Sequence, residues 1–312
     1  MACHVQSSIR PLERVGAFVS IPAPRTSGFT RSTDVPLYWC TYGPERAPRQ
    51  RLLVLHGGPG ADHGYLLPQM LDLTPEFELV FYDQRGGGRS KEAVPTRVPW
   101  ETQVDDLSRV IAELALDPLS IVGYSWGGLL ALLYAVEAAS GRVGPPPARL
   151  ALIDPAPVSK AHRAAFEAEF ERRQQGPAVR RLRAELAASG LKERDPATYR
   201  QRSFELSVAG YFADPTQARD LTPFRVTGRV QQSIWESLGE FDLMDDLAAV
   251  HCPAIVVHGR QDPIPLESSM SIAIALHAEF VPLDDCGHVP YVEQREKLFA
   301  VLRAFFRRTA EA

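Results

Sequence analysis

Gly123-Tyr124-Ser125-Trp126-Gly127 follows the pattern G-x-S-x-G. Flanking glycines let a backbone turn sharply there and leave the serine hydroxyl exposed at a helix start, where the helix dipole favours developing negative charge. A serine hydroxyl is a weak nucleophile at neutral pH. It needs a base to take its proton and an acid to fix the tautomer of the base. Both types follow in the order Ser, Asp, His: Asp262 ends His258-Gly259-Arg260-Gln261-Asp262, and His288 ends Cys286-Gly287-His288. Asp242 and Asp284 are the reserve acids. His56, His251, His258 and His277 compete with His288, but residue 251 precedes its strand and residue 277 falls in a helical pattern. The competing reading of Ser125 is a helix cap between closely packed glycines.

His56-Gly57-Gly58-Pro59-Gly60 leaves an apolar run, and a loop this rich in glycine brings backbone N–H groups close to a substrate oxygen. The expected oxyanion donors are the backbone N–H groups of Gly58 and Trp126. His56 and His63 lack the surrounding ligand set a metal would need, so no metal is expected. Asp83-Gln84-Arg85-Gly86 is read as a structural brace for the glycine loop.

Such residues meet only if strands deliver them to one edge of a sheet. Apolar runs of strand length occur at 52–55, 79–82, 119–122 and 150–153, with helical patterns at 101–116 and 126–139 between the last three. This alternation predicts a mostly parallel, doubly wound sheet with helices on both faces. Two upstream runs, 15–21 and 37–42, read as an antiparallel edge. After Asp154 the strand signal stops and helical patterns at 161–170, 179–188 and 199–206 take over. Strands resume at 254–257 and 280–283 before a closing helix over 293–306. The expected organisation is a core from 1–154 and 241–312, interrupted by a helical cap over 155–240. Within 160–230 the cap carries 14 Lys and Arg against 9 Asp and Glu, read mainly as solvated helix faces.

The 312 residues are 45% hydrophobic and 23% charged, which excludes disorder, and a net charge of −4 gives no basic field for nucleic acid. Four dispersed cysteines read as free thiols. No run reaches the ~18 apolar residues needed to cross a bilayer, and no secretory leader is evident. The expectation is a soluble cytoplasmic protein acting on a small molecule or short peptide, with neither membrane nor nucleic-acid partners.

His56-Gly57-Gly58-Pro59-Gly60, Asp83-Gln84-Arg85-Gly86-Gly87-Gly88-Arg89-Ser90 and Gly123-Tyr124-Ser125-Trp126-Gly127-Gly128 together resemble the proline iminopeptidase family of α/β-hydrolases. The resemblance is close over about 35–155, good over 240–305 and loose in the cap. It implies a Ser/His/Asp hydrolase with a helical cap and no metal or cofactor, often an aminopeptidase. Such enzymes hold the substrate's ammonium with carboxylates from or beside the cap. Here Pro263 stands where one branch has an acid after the triad aspartate. Another branch has a Trp-Glu pair, of which Phe204-Glu205 is a weak echo. Glu205 and Glu236 are the expected substrate-binding carboxylates, with Glu240 a further candidate. A carboxylesterase or other small-ester or amide hydrolase is the alternative, and a non-catalytic binding protein the remote one. Relatives that use a carboxylate nucleophile are set aside because position 125 is serine.

Overall fold

The computed structural model describes residues 21–43, 50–91 and 97–308. Its sheet has eight strands: β1 Thr26–Phe29, β2 Tyr38–Tyr42, β3 Arg51–Leu55, β4 Glu78–Tyr82, β5 Ser120–Tyr124, β6 Arg149–Ile153, β7 Ala254–Gly259 and β8 Glu279–Leu283. Their order is β1-β2-β4-β3-β5-β6-β7-β8. The first two pairings, β1 with β2 and β2 with β4, are antiparallel and the rest are parallel. The sheet is therefore the expected mostly parallel one with an antiparallel edge. The strand expected over 15–21 lies outside the described residues apart from Ile21, which is not in a strand. The outer edge strand is β1, which the apolar runs did not signal because its TSGF sequence is largely exposed.

Helices α1 Trp100–Glu113 and α2 Trp126–Ala139 cross between strands. On α1, Val104, Leu107, Val110 and Ile111 recur at helical spacing and form the buried stripe. In α2 nearly every residue is buried, because the helix lies between the sheet and its neighbours rather than at the surface. Alternation along each strand splits the core. Ile121, Leu150 and Leu152 join one apolar layer, while Val122, Ala151 and Ile153 join the other.

Five α-helices separate β6 from β7: α3 Lys160–Gln174, α4 Pro177–Ala188, α5 Leu191–Arg194, α6 Pro196–Val208 and α7 Gly228–Leu238. Their starts are written locally. Ser159 Oγ accepts from His162 N, Asp195 Oδ1 accepts from Thr198 N at 3.1 Å, and Pro177 and Pro196 occupy first-turn positions. The segment is tied to the core through Thr227 N to Gly60 O at 2.9 Å and Val98 N to Ser233 Oγ at 2.9 Å. Helix α8 Leu266–Ala275 precedes β8, and α9 Pro290–Glu293 and α10 Arg295–Arg307 close the chain. His277 is not in a helix. It lies past the end of α8 with φ 49°, where Ile274 O and Ala273 O accept the turn's N–H groups. Among the described residues no helix is long and apolar enough to cross a membrane.

Candidate active site

Parallel register brings the strand ends to one edge. Leu55 pairs with Gly123, Tyr124 with Ile153, Ile153 with Val257, and Gly259 with Leu283. The loops after β3, β5, β6, β7 and β8 therefore open side by side, at the point where the order β4-β3-β5 reverses the direction of sheet growth.

Ser125 joins β5 to α2 with φ 53° and ψ −120°, a conformation that a side chain tolerates only when its surroundings impose it. Its N–H donates to Ile153 O at 3.0 Å and its carbonyl accepts from Ala156 N at 2.9 Å, which pins the turn. Gly127 has to be glycine, because a Cβ there would strike Leu55 O. The hydroxyl makes no capping hydrogen bond to α2, which removes the helix-cap reading. It donates instead to His288 Nε2 at 2.9 Å.

His288 Nδ1–H donates to Asp262 Oδ2 at 2.7 Å, and Asp262 Oδ1 accepts from Ile264 N at 2.7 Å. The three residues expected to act together are thus in one hydrogen-bonded line. The reserve acids are elsewhere: Asp242 is exposed beside Ser159, and Asp284 pairs with Arg260 at the surface. Burial holds the His288 imidazole down, to about 4, so at neutral pH it is an uncharged acceptor for the serine proton. The backbone of His288 is also fixed: Tyr124 Oη donates to its carbonyl at 2.8 Å, and its N–H donates to Tyr211 O at 2.7 Å. Tyr211 also covers the imidazole, with ring centroids 5.1 Å apart.

Gly57 packs against the serine, since a Cβ on it would come within 2.9 Å of Ser125 Cβ, and its N–H donates to Tyr65 Oη at 2.6 Å. The loop bends at Gly58, with φ 60°. His56 is structural: Gln84 N donates to its Nε2 at 3.1 Å and its Nδ1 faces Gly57 O at 3.0 Å. His63 binds Asp83 rather than forming a pair with His56, its Nδ1 lying 2.6 Å from Asp83 Oδ1. The 83–86 stretch braces this region as expected. Gln84 ties His56 to Trp126, and Arg85 reaches Asp106 from its Nε at 2.7 Å and also pairs with Asp34.

A cavity of about 480 Å³ opens over Ser125, with Gly58, Trp126 and His288 in its wall. The helical segment supplies Arg163, Phe166 and Glu167 from α3 and Trp235 and Glu236 from α7. Arg163 lies 3.9 Å over the Trp235 ring and donates from Nη2 to Glu167 Oε1 at 2.7 Å. Glu236 Oε1 accepts from Gln232 Nε2 at 2.7 Å. Glu205 is not in the lining: its carboxylate accepts from Arg202 Nη1 at 2.7 Å and Gln201 Nε2 at 3.2 Å. Glu240 pairs with Lys160 in solvent. Sequence reasoning missed Phe166, Glu167, Tyr211 and Trp235, whose helical spacing reads equally well as ordinary packing. It also passed over Asp154, whose position at the end of an apolar strand run is the same signal that marked Asp262.

Three comparisons report what the chain is similar to. Proline iminopeptidase from Lactobacillus delbrueckii subsp. lactis is 37% identical over 105 residues, which is 32% of this chain and 35% of that protein, so the chain spans only about a third of that relative's length. Proline iminopeptidase from Levilactobacillus brevis is 28% identical over 284 residues, 82% of this chain and 88% of the relative. The crystal structure of proline iminopeptidase from Mycobacterium smegmatis superposes with a TM-score of 0.65 at 22% identity, covering 90% of this chain and 97% of that one. The resemblance carried by the three glycine-rich motifs is thus present in the wider comparison. The model of the alpha/beta hydrolase family matches residues 52–301, and the chain belongs to that family.

Proposed function

We propose that the protein is a serine hydrolase with aminopeptidase activity of the proline iminopeptidase type. Ser125 attacks an acyl carbon, and His288 takes the hydroxyl proton and returns it to the leaving amine. Asp262 holds the imidazole with Nδ1 protonated, and the Gly58 and Trp126 N–H groups receive the oxyanion. Water then cleaves the acyl-enzyme with the same base. Residues 155–240 act as a cap that walls the acyl pocket.

The single observation that carries this reading is the line Ser125 Oγ, His288 Nε2, His288 Nδ1, Asp262 Oδ2, with links of 2.9 and 2.7 Å, of which Ser125 and His288 line the cavity. Glu236 in the cap wall supports the aminopeptidase form, because a partly buried ammonium needs a carboxylate partner, while Glu167 there is already paired with Arg163. The similarity to proline iminopeptidases points the same way. Glu205 has no part in it.

The apolar walls, Trp126, Phe166, Trp235 and Ile264, favour ester hydrolysis as a second reading. Turnover of proline p-nitroanilide beside p-nitrophenyl butyrate separates the two. Cleavage of the anilide supports the aminopeptidase, and ester turnover with a silent anilide overturns it.

A further inference from the structure

Asp154 immediately follows β6, and the chemistry above does not use it. Its side chain is fully buried. Its N–H donates to Val257 O at 2.9 Å and its Oδ1 accepts from Gly259 N at 2.8 Å, so the carboxyl is held between β6 and β7. Its other oxygen, Oδ2, receives no N–H or O–H donor from the described residues. A carboxylate oxygen of Asp154, one of Asp262 and a ring nitrogen of His258 lie within 4.8 Å of one another.

Two ionised carboxylates in one dry site repel strongly unless a cation stands between them. His258 does not supply one. Its Nε2–H donates to Ile264 O at 3.2 Å, its Nδ1 faces Ser269 Oγ at 2.9 Å, and burial holds its imidazole down to about 3. One carboxyl must therefore carry the proton. Burial raises the Asp262 carboxyl as well, to about 8, but a hydrogen bond from Asp154 favours its charged form, and Ile264 N on one oxygen and His288 Nδ1 on the other equip it for charge. Asp154 has one oxygen without a donor, and burial followed by the nearby Asp262 charge raises its carboxyl well above the ordinary range.

We propose that Asp154 is a positioning residue whose carboxyl stays protonated and donates from Oδ2 to Asp262, so that the site holds a single negative charge, kept on the carboxylate that orients His288. The inference rests on the serine hydrolase reading above. Besides Asp262 and His258, the titratable groups around Asp154 are Tyr124 from β5 and Cys286, His288 and Tyr291 from beyond β8. Arg173 from α3, whose Nη2 donates to Asp262 O at 3.2 Å, favours charge on Asp262, and Glu293 from α9 opposes it.

The test follows the rate at which a fluorophosphonate labels Ser125 as a function of pH, in the wild type, Asp154→Asn and Asp154→Ala. Asparagine keeps an uncharged donor, so the Asn variant labels within about twofold of wild type, its acid limb moving by no more than about 0.3 pH unit. Alanine removes the donor, and its maximal labelling rate falls about tenfold with little change in probe affinity. A downward move of the acid limb by about a pH unit in Asp154→Asn would mean that Asp154 carries charge, and it overturns the proposal. Wild-type labelling by the Ala variant overturns it as well. Where a variant does not fold, the infrared carbonyl stretch of a protonated carboxylic acid at neutral pH, in wild-type protein carrying ¹³C-labelled aspartate, decides: its presence supports the proposal and its absence overturns it. Wild-type protein that resists labelling altogether rejects the serine hydrolase reading itself, and the proposal with it.

Discussion

Trp126 Nε1 donates to Gln84 Oε1 at 2.8 Å, and the same Gln84 side chain donates from Nε2 to His56 O, also at 2.8 Å. One buried amide thus links the glycine loop after β3 to the first residue of α2, the two segments assigned the oxyanion donors. Gln84 is completely buried, so neither bond has a water substitute.

Gln84→Ala unties the two donors without removing either. Direct loss of an oxyanion donor costs about 10²- to 10³-fold in kcat, so loss of the tie is expected to cost roughly tenfold, with KM little changed. Steady-state kinetics on p-nitrophenyl butyrate check this. A kcat within twofold of wild type would remove Gln84 from the account.

The buried His288 imidazole stays uncharged to unusually low pH, its value being lowered by burial to about 4. Protonation would disable the base, so activity falls as pH drops through the folded value. Fluorophosphonate labelling is expected to keep most of its rate at pH 5.5, well below the ordinary histidine value of about 6.5. Half-maximal labelling at pH 6.5 or above would contradict the burial argument.

His63 and Asp83 form an ion pair beneath the glycine loop, with Cys40 Sγ 3.3 Å from His63 Nε2. Burial acts against the charged imidazole, but the Asp83 hydrogen bond and charge prevail and raise it to about 10, while Asp83 is held below its usual value. With a folded value above the unfolded one of about 6.5, the stabilisation from His63 is complete below about pH 6.5 and is lost as pH rises through about 10. Asp83 has the opposite sign, and its share disappears as pH falls below the carboxylate range. His63→Ala strips a buried charge of its partner and is expected to cost about 3 kcal/mol at pH 7. Denaturant midpoints at pH 7 and pH 10.5 test this, since the gap between variant and wild type should narrow at the higher pH. A gap independent of pH would mean that His63 contributes by packing alone.

Glu236 faces the cavity from α7, and a substrate ammonium would meet its carboxylate there. Hydrogen bonds to charged groups contribute about 1.5–3 kcal/mol, so Glu236→Gln is expected to raise KM for proline p-nitroanilide at least tenfold. The variant should leave p-nitrophenyl butyrate kinetics within twofold of wild type. Equal losses on both substrates would show that Glu236 shapes the pocket without recognising an amine.

The core strands were legible because each is buried on both faces and therefore reads as a continuous apolar run, as at 52–55 and 150–153. Ser125, Asp262 and His288 were legible for a related reason: each follows such a run, and parallel strands place their ends along one edge. The exposed edge strand β1 left no such trace, and α7 was missed although its stripe of Val230, Ile234 and Leu238 is regular. The choice between Glu205 and Glu236 was not written in local sequence at all. Both sit on helices; the i,i+3 pair of Arg202 and Glu205 is local to α6, and the docking of α6 and α7 decides which carboxylate faces the cavity. Asp154 carries the same strand-end signal as Asp262, each before a proline, but its closeness to Asp262 depends on the pairing of β6 with β7.

The central claim, one activated serine served by one histidine, is tested most directly by treating the folded protein with a fluorophosphonate and mapping the adduct by mass spectrometry. The account predicts a single adduct on Ser125, none in Ser125→Ala, and labelling slowed by at least ~10³-fold in His288→Ala. An unlabelled protein, or an adduct on any other residue, would contradict it.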